Sequence, residues 1–150
     1  LIMKNFLILI LFLNTGLNYA NENYKFRIMG NSINNDITEL PNKSIFNIFE
    51  GKGAFTDNDG NIGDFSSKGV RQTDNKGVLK KLIAILVFES TDGSQIWGTP
   101  TRSESDLDIG AGFFDIFYAS GALKKLSNKR CQYGLTPTKN KSFVMEGFCK

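Results

Sequence analysis

The chain has 150 residues, 18 Lys+Arg, 15 Asp+Glu and no histidine, for a net charge of +3. So small a balance argues against nucleic acid or an anionic membrane surface as a partner. The lack of histidine removes Ser-His-Asp and Cys-His catalysis, His-ligated zinc and the commonest general base together.

The N-terminal stretch pairs Lys4 with an unbroken apolar run, Phe6 to Leu13, and a small or polar exit through Ala20. Met3 reads as the translational start. This is the outline of a secretory signal peptide over 1–20, and the run is too short to span a bilayer, which takes about 20 apolar residues. No stable membrane anchor is expected. Residues 21–150 then form one domain-sized unit with a net charge of +2, since Lys4 is the one charged residue in 1–20. The address implied is periplasmic or secreted.

Residues 21–43 are Asn-rich and weakly patterned. Tyr24 to Met29 alternates as a strand does, and 30–43 reads as loop. A barrel domain is expected over 44–150. Ile45 to Phe55 leads to Asp57-Asn58-Asp59-Gly60, and Ile62 to Gln72 returns from it. Asp-Gly supplies the positive φ that a hairpin tip requires. The same signal recurs at Lys76-Gly77 and Asp92-Gly93, so Gly60, Gly77 and Gly93 fall at steps of 17 and 16 residues. Between them, Val78 to Glu89 is apolar on both faces and rich in Ile and Val, which favours strand over helix. Gln95 to Arg102 follows, with Pro100 marking a bulge or an edge. After a turn at Glu104-Ser105-Asp106 come Gly112 to Tyr118, a turn at Ser120-Gly121, Lys129 to Leu135 and Ser142 to Cys149.

Equal antiparallel strands in sequence order predict an all-β fold, an antiparallel up-and-down barrel of seven or eight strands, with a two-sheet sandwich as the alternative. Glycines inside strands, at 51, 53, 63, 69, 98 and 112, suit barrel corners. Cys131 and Cys149 form an even pair in an exported chain, so a disulfide is expected, closing about 18 residues around the turn at 136–141. That pairing leaves no free thiol nucleophile. Asp57 to Asn61 fails the EF-hand spacing, because Phe55 would occupy the first ligand position. No metal and no cofactor are expected.

Candidate ligand-facing residues follow from register. With a two-residue turn at Asp59-Gly60, Arg71 faces Ile48 and shares a face with Glu50, as a polar anchor or a rim ion pair. The same arithmetic at Asp92-Gly93 sets Trp97 opposite Phe88, as core packing or a stacking platform. Glu89, Arg102 and Asp106 lie near strand ends, where a mouth would be. Tyr118, from the aromatic-dense segment, completes the set. One apolar face of 78–90 would line the barrel, and the other would need a cover, for which a second copy of the chain serves.

Residues 115–133 read Asp-Ile-Phe-Tyr-Ala-Ser-Gly-Ala-Leu-Lys-Lys-Leu-Ser-Asn-Lys-Arg-Cys-Gln-Tyr. This resembles the Gly-x-Gly-Lys-Tyr/Phe-x-x-Leu-x-Gly hairpin of allene-oxide-cyclase-like and dirigent-like barrels. Gly121 matches its second glycine, Lys124 or Lys125 its basic position and Leu126 its apolar one. Ala119 replaces the first glycine, and Asn128 stands at or near the last. Trp97, Arg102, Asp106 and Gly110-Ala111-Gly112 are similar to small exported bacterial proteins of unassigned function that carry that hairpin. The resemblance covers roughly 50–135 and implies an eight-stranded barrel, often oligomeric, with an apolar cavity. The catalytic residues of those enzymes have no matching motif here. Three functions follow, in order of expectation. The first is a barrel binding a small apolar molecule. The second is an interaction protein with a filled core. The third is a cyclase- or isomerase-like enzyme.

Overall fold

A computed structural model describes residues 23–102 and 110–150. Eight antiparallel strands close into one barrel in sequence order. They are β1 (Tyr24–Glu39), β2 (Ile45–Asp57), β3 (Ile62–Thr73), β4 (Leu79–Ser90), β5 (Gln95–Thr101), β6 (Gly110–Ala119), β7 (Arg130–Pro137) and β8 (Ser142–Cys149). β8 pairs with β1, from Tyr24 opposite Cys149 to Asn31 opposite Ser142, and so removes both sheet edges. The barrel, rather than the sandwich, is therefore the architecture. β1 runs to Glu39, where the weak pattern of 30–43 reads as loop. Pairing to β8 ends at Asn31, and pairing to β2 alone carries the strand on, across a bulge between Ser32 and Asn34, to Glu39. The turn expected at 104–106 lies outside the described residues.

The three glycine hairpins share one geometry. Asp57 N donates to Asn61 O at 3.0 Å, Asp74 N to Val78 O at 3.0 Å, and Ser90 N to Ser94 O at 2.8 Å. Each loop therefore holds three residues, and the last of them is glycine at φ 86°, 82° or 83°. A type I turn closed by a left-handed residue has this form. Asp57 Oδ1 accepts from the Asp59 and Asn61 amides (3.0 and 2.8 Å), and Asp74 Oδ1 from Lys76 and Val78 (2.8 and 3.0 Å). Such amide bonds hold the Asp74 carboxyl below the usual carboxylate range. The β1–β2 connection repeats the pattern without glycine: Leu40 N donates to Ser44 O at 2.8 Å, and Lys43 sits at φ 66°.

A three-residue loop shifts each hairpin by one residue from the two-residue expectation. Arg71 thus faces Asn47, Glu50 faces Lys68, and Phe88 faces Ile96. Because side chains alternate with period 2, a one-residue shift exchanges inside and outside.

The interior divides by height. At one end the segment Gly121–Leu126, a 3-10 turn, inserts Leu123 and Leu126, both fully buried. Cys131 and Cys149 face each other across β7 and β8 and are joined by a disulfide. Above this base lies a layer of rings around Phe88. Phe26, Phe55, Phe65 and Phe114 all lie within 5.5 Å of its centroid, the first three edge-on. Above the rings the inward positions turn small: Gly51, Ser67 and Ala84.

Two stability outcomes follow, both read from urea midpoints. A Cβ at Gly60 meets no atom within 4 Å, so Gly60→Val costs about 1–2 kcal/mol through φ alone, and Gly60→Asn costs less. Replacing both cysteines by serine removes about 3 kcal/mol, for a loop of 18 residues.

Candidate ligand-binding site

The small residues above the Phe88 layer leave a cavity of about 310 Å³ that opens at the end opposite the 3-10 plug. Its apolar wall comes from Phe65, Leu82, Ala84, Leu86, Phe143 and Met145, all on the inward parity of their strands. Polar groups enter toward the mouth. Arg71 lines the cavity from β3, and its guanidinium carbon lies 5.7 Å from the Phe49 ring centroid. This is a cation–π contact. Arg102 lines the cavity just past the end of β5. Its guanidinium lies against Gly110, where a Cβ would collide with it, so glycine there makes the room. Tyr133 and Ser67 contribute hydroxyls. Burial pushes the Tyr133 phenol up to about 12, and the positive charge of Arg102 works in the opposite direction.

The wall is not equally sewn. β4 and β5 share four residue pairs, from Leu86–Gly98 to Glu89–Gln95, whereas β3 and β4 are paired from Gly63–Ser90 to Thr73–Leu79. Pro100, which has no N–H, is buried beyond the last β4–β5 pair. Proline thus stands where that ladder has ended, and it lines the cavity together with Leu79 and Leu82 across the parting.

Of the candidates read from sequence, Arg71 and Arg102 both line this cavity. Glu50 borders it, but its carboxylate pairs outward with Lys68 Nζ at 3.3 Å. The Glu50–Arg71 face-sharing expected from a two-residue turn is corrected by the register above. Trp97 is likewise outside. It lies between Val87 and Tyr118 on neighbouring strands, and its indole N–H donates to Gln95 Oε1 at 3.2 Å. Gln95 in turn donates to Glu89 Oε2 at 3.2 Å. Glu89, Trp97 and Tyr118 therefore form an outer-face row near the plugged end, away from the mouth. Ile83 and Ile85 also point outward, 56% and 44% exposed, so the Leu82–Ala84–Leu86–Phe88 face of β4 lines the barrel. Asp106 lies outside the described residues.

Tyr133 escaped the sequence reading, although a signal existed. Cysteine is among the residue types most often buried, so Cys131 marks the inward parity of its strand, and Tyr133 is two residues further along it. Ser67 and Ala84 carried no such signal, because small residues read as neutral until the layer beneath them is known.

No family model and no curated protein matches the chain. A solved structure of an enzyme from Penicillium herquei is similar to it, with 16% sequence identity and a TM-score of 0.58. The match covers 86% of this chain and 92% of that one. At that identity the likeness is one of fold.

Tyr133 gives the site a readable titration. Its phenol ionises at a higher pH in the fold than in the open chain, so the unfolded state loses its proton first as pH rises from about 10. Stability is full below that value and falls up to about pH 12. Tyr133→Phe is expected to make this fall shallower, by up to about 3 kcal/mol between those limits, in urea titrations.

Proposed function

We propose that this protein is an exported barrel that binds a small, mostly apolar molecule in its open upper half. The cavity carries the reading. It has a volume of about 310 Å³, an apolar wall and a few convergent polar groups near the mouth. These are the attributes of a small-molecule site, at the lower end of the usual range of about 300–1,000 Å³. Eight strands are just enough to hold one small ligand. The competing reading, a solid core acting through its outer face, fits the lower half alone, where Phe88 and its four neighbours leave no space.

Export is supported by two separate features. The Cys131–Cys149 disulfide belongs to an oxidising compartment. The basic start and apolar run of 1–20 have the outline of a leader. Kinship with the dirigent-like barrels is part of the same proposal. It is supported by eight-strand closure and by Gly121, which takes φ 57° against Ser94.

Calorimetric titration with 1-octanol tests the site. Heat of binding is expected from the parent. It should vanish in Ala84→Phe, which fills the cavity above the ring layer, while circular dichroism stays native. A parent that takes up no octanol, and retains no small molecule in native mass spectrometry when purified from its source, would leave the filled-core reading standing.

A further inference from the structure

We infer that the outer face of β4 is the contact between two copies of this chain, packed face to face about a two-fold axis at Ile85 with the two β4 strands antiparallel.

The order of outward residues along β4 is the first observation. They read Lys81, Ile83, Ile85, Val87 and Glu89, alternating with the inward Leu82, Ala84, Leu86 and Phe88. A cation stands at one end, an acid at the other, and three branched apolar side chains lie between them. A two-fold axis across the strand sets Ile85 on its own copy, Ile83 on the partner's Val87, and Lys81 on the partner's Glu89. The axis makes each of these contacts twice, so the face is its own complement. Parallel stacking would instead set Lys81 on Lys81 and Glu89 on Glu89, which like-charge repulsion opposes.

The second observation is that both end charges are available. Among the described residues, no ion pair involves Lys81 or Glu89. Glu89 Oε2 accepts from the neutral amide of Gln95 at 3.2 Å, which leaves its charge unmatched. Lys68 stands beside Ile85 at the level of the axis, and Glu50 holds its ammonium at 3.3 Å, so that pair adds no net charge.

The third observation is exposed apolar area. Ile83 is 56% exposed and Ile85 44%. Val70 on β3 lies beside Ile83 and widens the seat of the partner's Val87. Trp97 on β5 lies beside Val87 and widens the seat of the partner's Ile83. Together these side chains give on the order of 300 Å² of contiguous apolar surface. Specific interfaces are a little over half apolar, so this corresponds to about 1,000 Å² over both partners, the size at which specific pairing begins. The mouth of the barrel stays clear, because the contact runs along the side wall.

Sedimentation velocity of the full chain, expressed in a secreting host, tests the contact over a micromolar-to-millimolar series. The parent is expected to dimerise, and Ile85→Lys to remain monomeric with native circular dichroism. If Ile85→Lys does not fold, Ile83→Gln serves the same purpose. Lys81→Glu and Glu89→Lys should each weaken the dimer about tenfold, since each turns two exposed ion pairs into two like-charge contacts. The double variant should return to near the parent value. A parent that stays monomeric, or a dimer indifferent to the Ile85 and Ile83 variants, would overturn the interface. A double variant as weak as the single ones would overturn the antiparallel axis.

Discussion

The Phe88 ring governs the arrangement. It projects inward from the most apolar strand and meets Phe26, Phe55, Phe65 and Phe114 from four other strands, with centroids 5.3–5.5 Å away. Edge-on ring contacts of this kind add about 0.5–1.5 kcal/mol each beyond the area they bury. Their larger effect is geometric. Five rings at one height fix the girth of the barrel and fill it, so everything below can be sealed by Leu123, Leu126 and the disulfide. Above it, the inward positions only partly fill the barrel. Gly51, Ser67 and Ala84 inherit a girth set by phenylalanine without having the bulk to occupy it. The cavity is the difference between those two layers.

This separation lets stability and recognition occupy different halves of one small domain. The base holds the plug, the cross-strand disulfide and most of the fully buried side chains. The upper half holds Arg71, Arg102 and Tyr133, groups that cost free energy to bury and would weaken a solid core. The early end of the β4–β5 ladder falls in this upper half, where backbone pairing is least needed to keep the barrel closed.

Much of the fold was legible because turn chemistry is local. Gly60, Gly77 and Gly93 announce reversals at nearly equal steps, and equal strands in order have few ways to pack other than closure. Register was not legible to the same degree. Asp-Gly is compatible with loops of two or three residues, and the choice depends on whether the glycine or the residue after it rejoins the ladder. That single residue decides that Glu50 and Trp97 face outward. Lys43 shows the reverse limit: it occupies the left-handed site of the first hairpin without the residue type that advertises it, so β1 is longer than its pattern suggests. Arg71 keeps its place in the site because its own strand carries it inward. Arg102 does so because it lies where β5 ends at the rim.

Tyr24 and Cys149 stand side by side as the last pair between β1 and β8, at the sealed base. The two ends of the barrel chain therefore leave together, on the side away from the mouth. A domain fused at either end, or a surface to which the base is tethered, would hold the molecule like a cup by its foot, with the rim free. The same adjacency permits the ends to be joined by a short linker and the chain to be reopened at an exposed hairpin tip such as Asn58–Gly60, giving a circular permutant with the same wall and the same chamber.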